Sequence, residues 1–307
     1  NFDLIGVATT QGLGGQIQKL GNIASMKSHG VEVSLTTRNI VTRDFSWTTN
    51  IIYSHTKNKV TDLKTTKRLM ELVSGNGFAQ QGYPVRSLFS IPFMGLNEEG
   101  LPTFIDQDGN ITTSGINFQT SDPSMLNNLV YSGSVDPTDI GSFGNIFRYK
   151  GITLNVYVTY SFGNVIRLDP VFKSSYNDLS ATPKEFKNRW GIPGDQYITT
   201  IPTIASKRQN RNDTNLSRAY NAYNYSTERI AKGDFIRMKE ISVNYDFPQK
   251  VIEALRMTRL SAKLQATNMF LIYADKKLNG QDPEFFNTGG VAAPTPKQFT
   301  LTVNIGF

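Results

Sequence analysis

Residues 298 to 307 alternate without exception. Phe299, Leu301, Val303, Ile305 and Phe307 share one parity, and Gln298, Thr300, Thr302, Asn304 and Gly306 share the other. Successive side chains of a strand point to opposite faces, so this strand has one wholly apolar face and one polar face. Such a strand suits a soluble sandwich, or a wall with lipid on one side and water on the other. One that stops on an aromatic residue at the end of the chain reads as the closing strand of an outer-membrane β-barrel.

Composition fits that reading. Only 38% of the 307 residues are hydrophobic and the mean hydropathy is -0.32, low for a chain folded around one dry core. A barrel with a wet interior needs only half of each strand to be apolar. There is no run of about eighteen apolar residues, which excludes a spanning helix. A closed barrel remains possible in lipid because it pairs all its backbone groups. Without cysteine, disulfides and thiolate-held metals are excluded. The net charge of +7 is spread over intermixed acids and bases. No basic helix or basic-aromatic platform is present, so no nucleic-acid partner is expected. No signal peptide opens the chain, and Asn1-Phe2-Asp3-Leu4-Ile5 resembles the middle of a strand. The expectation is therefore a fragment, residues 1–307 being the C-terminal part of a barrel without a plug domain or the first half of the wall.

Period-two patterning recurs upstream. Val31, Val33 and Leu35 oppose Glu32, Ser34 and Thr36. Trp47, Ile51 and Tyr53 oppose Ser46, Thr48, Asn50 and Ser54, with Thr49 a polar exception on the apolar face. Ile152, Leu154, Val156 and Val158 oppose Thr153, Asn155, Tyr157 and Thr159. Ile241, Val243 and Tyr245 oppose Glu240, Ser242 and Asn244, and Leu260, Ala262, Leu264 and Ala266 oppose Ser261, Lys263, Gln265 and Thr267. Ten strands are expected, near 1–8, 22–41, 45–58, 86–96, 101–106, 142–149, 152–167, 234–247, 258–273 and 297–307. Short connections at 42–44, 97–100, 149–151 and 248–257 alternate with long ones at 9–21, 60–84, 107–141, 168–233 and 274–296. This is the pattern of an antiparallel up-and-down barrel with turns on one rim and loops on the other.

Nothing in the sequence points to an enzyme or a cofactor. His29 and His55 lie in expected strands without a ligand partner at suitable spacing, and no nucleophile elbow or phosphate loop occurs. Asp106 to Asn110 has acidic spacing, but its glycine comes too early for an EF-hand, and a turn on Asp108-Gly109 is expected. Aromatics on the apolar parity (Phe162, Tyr245, Phe247, Phe270, Tyr273, Phe299 and Phe307) fall near strand ends, where two interfacial girdles would place them. The 168–233 connection is far longer than ordinary loops, and such loops are usually functional. It supplies the candidate contacts for substrate or a capping partner: Trp190, Arg211, Asn212, Tyr220, Tyr223 and Tyr225. Planar donors, amides and aromatic faces can bind sugars or peptides; a solvated polar loop with packed tyrosines is the competing reading.

Several ordered strings resemble the SusC/RagA-type TonB-dependent transporters of the Bacteroidota outer membrane. They are Ser28 to Val33, Gly82-Tyr83-Pro84, Gly95-Leu96, Trp190 to Asp195, Gly233 to Tyr245 with Pro248, Thr267 to Phe270, Asp282-Pro283-Glu284 and Pro296 to Thr300. The resemblance implies the last ten or so strands of a 22-stranded barrel in the cell outer membrane, with periplasmic short turns and a periplasmic C-terminus. It implies import of a large nutrient, oligosaccharide or peptide. The implied partners are a SusD-like surface lipoprotein and TonB-ExbB-ExbD, the latter through an N-terminal part outside this sequence. The alternative is a plugless barrel serving as a structural or interaction component of a surface assembly. Within this resemblance Phe307 is the recognition signal for barrel assembly. Its removal from the full-length protein should lower outer-membrane abundance far more than replacement of Phe299; equal losses would leave Phe307 as one more lipid-facing side chain.

Overall fold

The computed structural model describes residues 4–12, 15–65, 67–106, 108–176, 182–286 and 296–307, with side chains from residue 24 onward. Its main sheet has eight antiparallel strands. These are Leu4–Gly12 (β1), Gly15–Val41 (β2), Phe45–Leu63 (β3), Asp139–Tyr149 (β4), Ile152–Phe162 (β5), Phe235–Asp246 (β6), Arg259–Ala274 (β7) and Gln298–Gly306 (β8). Their order in the sheet is their order in the chain, an up-and-down meander with β1 and β8 at its edges. No helix among the described residues is long and apolar enough to cross a membrane.

The sheet has eight strands where ten were expected. Residues 86–96 and 101–106 lie outside it: Ser87–Ser90 pairs with Val130–Ser134, and Phe93–Leu96 pairs with Pro102–Ile105. All four residues of Ser87–Ser90 are buried. A strand covered on both faces gains nothing from alternation, and here an apolar run was misread as a wall strand. Losing two strands together preserves the short-long order of connections. Residues 9–12 and 15–21 of the expected loop are strand instead, with β1 and β2 paired from Leu4↔Ala24 to Gly12↔Gly15.

The chain divides into two compact units. The wall unit comprises His29–Lys57, Pro137–Asn164 and Gly233–Phe307; the loop unit comprises Asn1–Ser28, Asn58–Asp136 and Val165–Lys232.

The wall is inside-out by the standard of a soluble protein. Register places Trp47, Phe147, Leu154, Val243, Leu264 and Leu301 in one row across β3 to β8. Phe45, Tyr149, Ile152, Tyr245, Ala262 and Val303 form another such row. None of these apolar residues is buried, and Leu264 and Leu301 are the barest, at 55% and 71% exposure. On the opposite face Ser242 and Ser261 are each only 1% exposed and Arg237 is buried. Asn155 donates to Ser242 Oγ (3.2 Å), which donates to Glu240 Oε1 (3.0 Å), and Lys263 lies 3.8 Å from the same carboxylate. Exposed apolar and buried polar surface is the reverse of a water-soluble fold and is what lipid outside and water inside require. Thr49, the exception, is satisfied within the apolar face. Its hydroxyl and the Trp47 indole N–H both donate to Asn145 Oδ1 at 2.9 Å.

Local geometry explains several of the ordered strings. The β4–β5 hairpin turns on the two residues Lys150 and Gly151, with Lys150 in the left-handed region (φ 50°) that primed hairpin turns require at their first central position. The sheet bulges where β5, β6 and β7 meet, at Tyr157/Val158, Lys239 and Asn268. Asn268 takes a left-handed φ of 53°, so Thr267 to Phe270 is a bulge signature that bends β7. Asp234 accepts a hydrogen bond from Gly163 N at 2.7 Å, and Gly233 N donates to Asn164 O at 2.9 Å. A Cβ on Gly233 would lie 2.1 Å from the Asn164 side chain, which packs directly over the glycine and would have to move. Arg237, from the same string, bonds Asp282 Oδ1 at 2.5 Å and Glu284 Oε2 at 3.2 Å. Thus the two strings meet in a buried Arg237–Asp282 ion pair, 45 residues apart in the chain, with exposed Glu284 at its rim.

Candidate binding surface on the loop unit

The long connections carry their own core. Helix Leu216–Asn224 repeats apolar residues at Leu216, Ala219, Tyr220 and Tyr223, one face of a helix. That face packs with Leu69, Phe104, Ile116 and Phe172. Tyr223 meets Phe172 edge-on at a centroid distance of 4.9 Å and Phe93 at 5.5 Å. Tyr220 donates to Thr203 O at 2.6 Å. Burial pushes both phenols up, so they stay protonated. Tyr220 and Tyr223, expected as contact residues, are therefore core residues. In a connection this long, a periodic aromatic helix is needed to bury apolar area, and periodicity is the reason for its tyrosines. Tyr225 is half-buried against Phe118.

Buried polar groups tie the loop segments together. Arg167 donates to Ser226 O and Phe89 O, each at 2.7 Å, and to Ser90 Oγ at 3.0 Å. Burial pushes its guanidinium down to about 9, still protonated at neutral pH. Arg229 pairs with Glu185 and lies over the Phe172 ring. Asn224 accepts from Phe172 N at 3.1 Å and donates to Phe172 O at 2.8 Å, as a neighbouring strand would. None of these residues stood out in the sequence. Arg167 sits in a short apolar run, and its three acceptors come from segments about 60 to 78 residues away.

Trp190 is half-buried and shapes a surface turn. Its indole donates to Gln196 Oε1 at 3.2 Å, while Asp195 Oδ2 accepts from Gly191 N and Ile192 N at 2.9 and 3.0 Å. Gly100 has a left-handed φ of 73°, and a Cβ there would lie 2.4 Å from the Trp190 ring. Gly100→Val should therefore destabilise this contact by about 2 kcal/mol, from backbone strain plus ring displacement. The expected readout is faster protease cleavage between 184 and 201 in the full-length protein; an unchanged rate would refute the contact. The turn presents Ile192, Tyr197 and Ile198 at 66%, 86% and 83% exposure. Beside it is a pocket of about 490 Å³ lined by Asn188, Arg189, Asp195 and Ile198 to Ile201. Arg211 and Asn212 are exposed on the short helix Lys207–Asn212. The loop unit thus separates the candidates: Arg211, Asn212 and Trp190 lie at or near the surface, while Tyr220 and Tyr223 support it from inside. Asp106 forms the expected turn, accepting from Asp108 N and Asn110 N. Of the 274–296 connection, residues 287–295 lie outside the described residues.

An antiparallel up-and-down sheet with one exposed apolar face and one polar face, and long connections with a core of their own, is the pattern of an outer-membrane β-barrel wall. Comparison with known proteins narrows the class. The chain is 26% identical to TonB-dependent receptor P39 of Formosa agariphila over 89% of its own length and 29% of that protein's. It is 24% identical to TonB-dependent receptor P3 of the same organism, over 89% and 26% of the two lengths. All of it superposes, with a TM-score of 0.72 and 20% identity, on 32% of a chain of the RagAB peptide importer in its closed-closed state. No family model matches. The chain is thus similar to TonB-dependent receptors and shares its fold with part of a RagAB chain, and it spans less than a third of the length of the relatives it matches.

Proposed function

We propose that this chain forms part of the wall and the external loop unit of a TonB-dependent importer of a large nutrient, a peptide or an oligosaccharide. The observation that carries the reading is the inverted wall, apolar where it is exposed and polar where it is buried, joined to connections long enough to build a core of their own. The apolar rows meet lipid, and the face bearing Glu240, Lys263 and Arg237 meets the lumen. The loop unit is the extracellular rim, where a SusD-like lipoprotein caps the barrel, and the turns near 42–44, 150–151 and 247–258 are periplasmic, as is Phe307. In the wall unit β8 and the stretch of β2 beyond its pairing with β1 are open edges that would leave backbone groups unpaired in lipid, so the rest of the barrel completes the sheet. Energy enters through TonB-ExbB-ExbD by way of transporter segments beyond this sequence.

The test is uptake by cells carrying the full-length protein, with and without TonB. Nutrient import should be saturable and lost when TonB is deleted. Equal uptake without TonB, or none in either strain beside normal barrel assembly, would favour a structural role instead.

A further inference from the structure

We infer that the loop unit selects acidic peptides through an uncompensated cationic surface on residues 184–218. This rests on the import reading and specifies its substrate. The stretch holds seven Lys and Arg against three Asp and Glu. All seven cations, from Lys184 to Arg218, are exposed, and among the described residues none forms an ion pair. The three acids are occupied within the fold. Glu185 pairs with buried Arg229, Asp195 accepts from two backbone N–H groups, and Asp213 accepts from Asn215 N at 2.8 Å. Glu98 and Glu99, in the turn reached by Gln209, form no ion pair with these cations either.

The short helix Lys207–Asn212 shows how the surface is ordered. Gln209 returns its side chain to Ser206 N at 2.8 Å and reaches Glu99 O at 3.4 Å, and Asn210 donates to Ser174 O at 2.9 Å. These amides hold the helix to the unit and leave Lys207, Arg208 and Arg211 exposed. Like charges fixed this way repel one another until an anion arrives, so an anionic ligand gains both attraction and relief of repulsion. Arg189, over the Phe186 ring at 5.2 Å, brings the same charge to the pocket beside Ile198.

A peptide fits this surface better than a sugar. Sugars lay their C–H faces on flat rings, and here Trp190 is packed against Gly100 while Tyr220 and Tyr223 are buried. What remains exposed is aliphatic Ile192 and Ile198 with the single ring of Tyr197. Cations beside aliphatic side chains match a peptide carrying carboxylates among apolar residues.

The experiment measures binding to the purified full-length transporter with its lipoprotein partner. The probes are a labelled peptide alternating Glu and Leu, its Gln and Lys analogues, and a sulfated oligosaccharide. The Glu peptide should bind best. Combined Lys207→Glu, Arg208→Glu and Arg211→Glu should weaken it about tenfold or more, since three exposed pairs at up to roughly 1 kcal/mol each are lost. The Gln peptide should be unaffected. A salt titration of the unaltered protein gives a second readout if the variant assembles poorly: high salt should weaken the Glu peptide alone. Equal binding of Glu and Gln peptides, tighter binding of the sulfated sugar, or salt-insensitive binding would overturn the proposal. No energy source is needed, so uptake that proved independent of TonB would sink the import reading and leave this result standing.

Discussion

Arg237→Ala should destabilise the wall by about 3–5 kcal/mol, the usual cost of leaving one member of a buried ion pair alone. Arg237 and Asp282 have side chains only 6% and 10% exposed, whereas Glu284 is 45% exposed. Asp282 also caps its own turn, accepting from Glu284 N at 3.1 Å. The loss should therefore track Asp282 and barely involve Glu284. Asp282→Ala should cost a similar amount, Glu284→Ala less than about 1 kcal/mol. Arg237→Met with Asp282→Leu should cost far less than the two alanine variants summed, because replacing both ions with apolar groups leaves no bare charge. Heat-dependent unfolding of the full-length barrel in detergent would measure all four. Additive effects would mean that the two strings touch without being coupled.

Leu154→Arg should cost about 2–4 kcal/mol, because it puts a charge in the middle of the apolar row from Trp47 to Leu301. Asn155→Arg, one residue along and on the polar face beside Ser242, should be nearly neutral. The comparison isolates facing from strand propensity, since both positions lie in β5. Outer-membrane abundance and the unfolding midpoint of the full-length protein would register it. Equal penalties at 154 and 155 would show that lipid does not lie against the apolar rows, and the barrel orientation would fall with it.

The wall was legible in the sequence because alternation records the environment of each face directly. β4 to β8 lie within a few residues of their expected positions, and the parity of Ile152 to Val158 and of Phe299 to Ile305 is the parity observed. A strand between two unlike solvents must show period two. Where that condition failed, so did the reading. Ser87–Ser90 is buried on both faces, so its composition says strand but cannot say which sheet.

The loop unit was legible only as a long connection with unusual composition. Its tyrosines looked like a contact surface because exposure is not written in residue type. Tyr220 and Tyr223 are enclosed by Phe104, Ile116 and Phe172, which come from more than 40 residues away along the chain. Likewise Arg237 and Asp282 could each be singled out by their strings, yet their pairing required β6 and the 275–286 segment to come together. Local sequence determined most of the wall strands and which face of each is apolar or polar, since that choice depends on neighbours two positions away. Only tertiary structure decided which polar groups are buried together and which cations remain unmatched, since those depend on segments that approach only after the chain has folded.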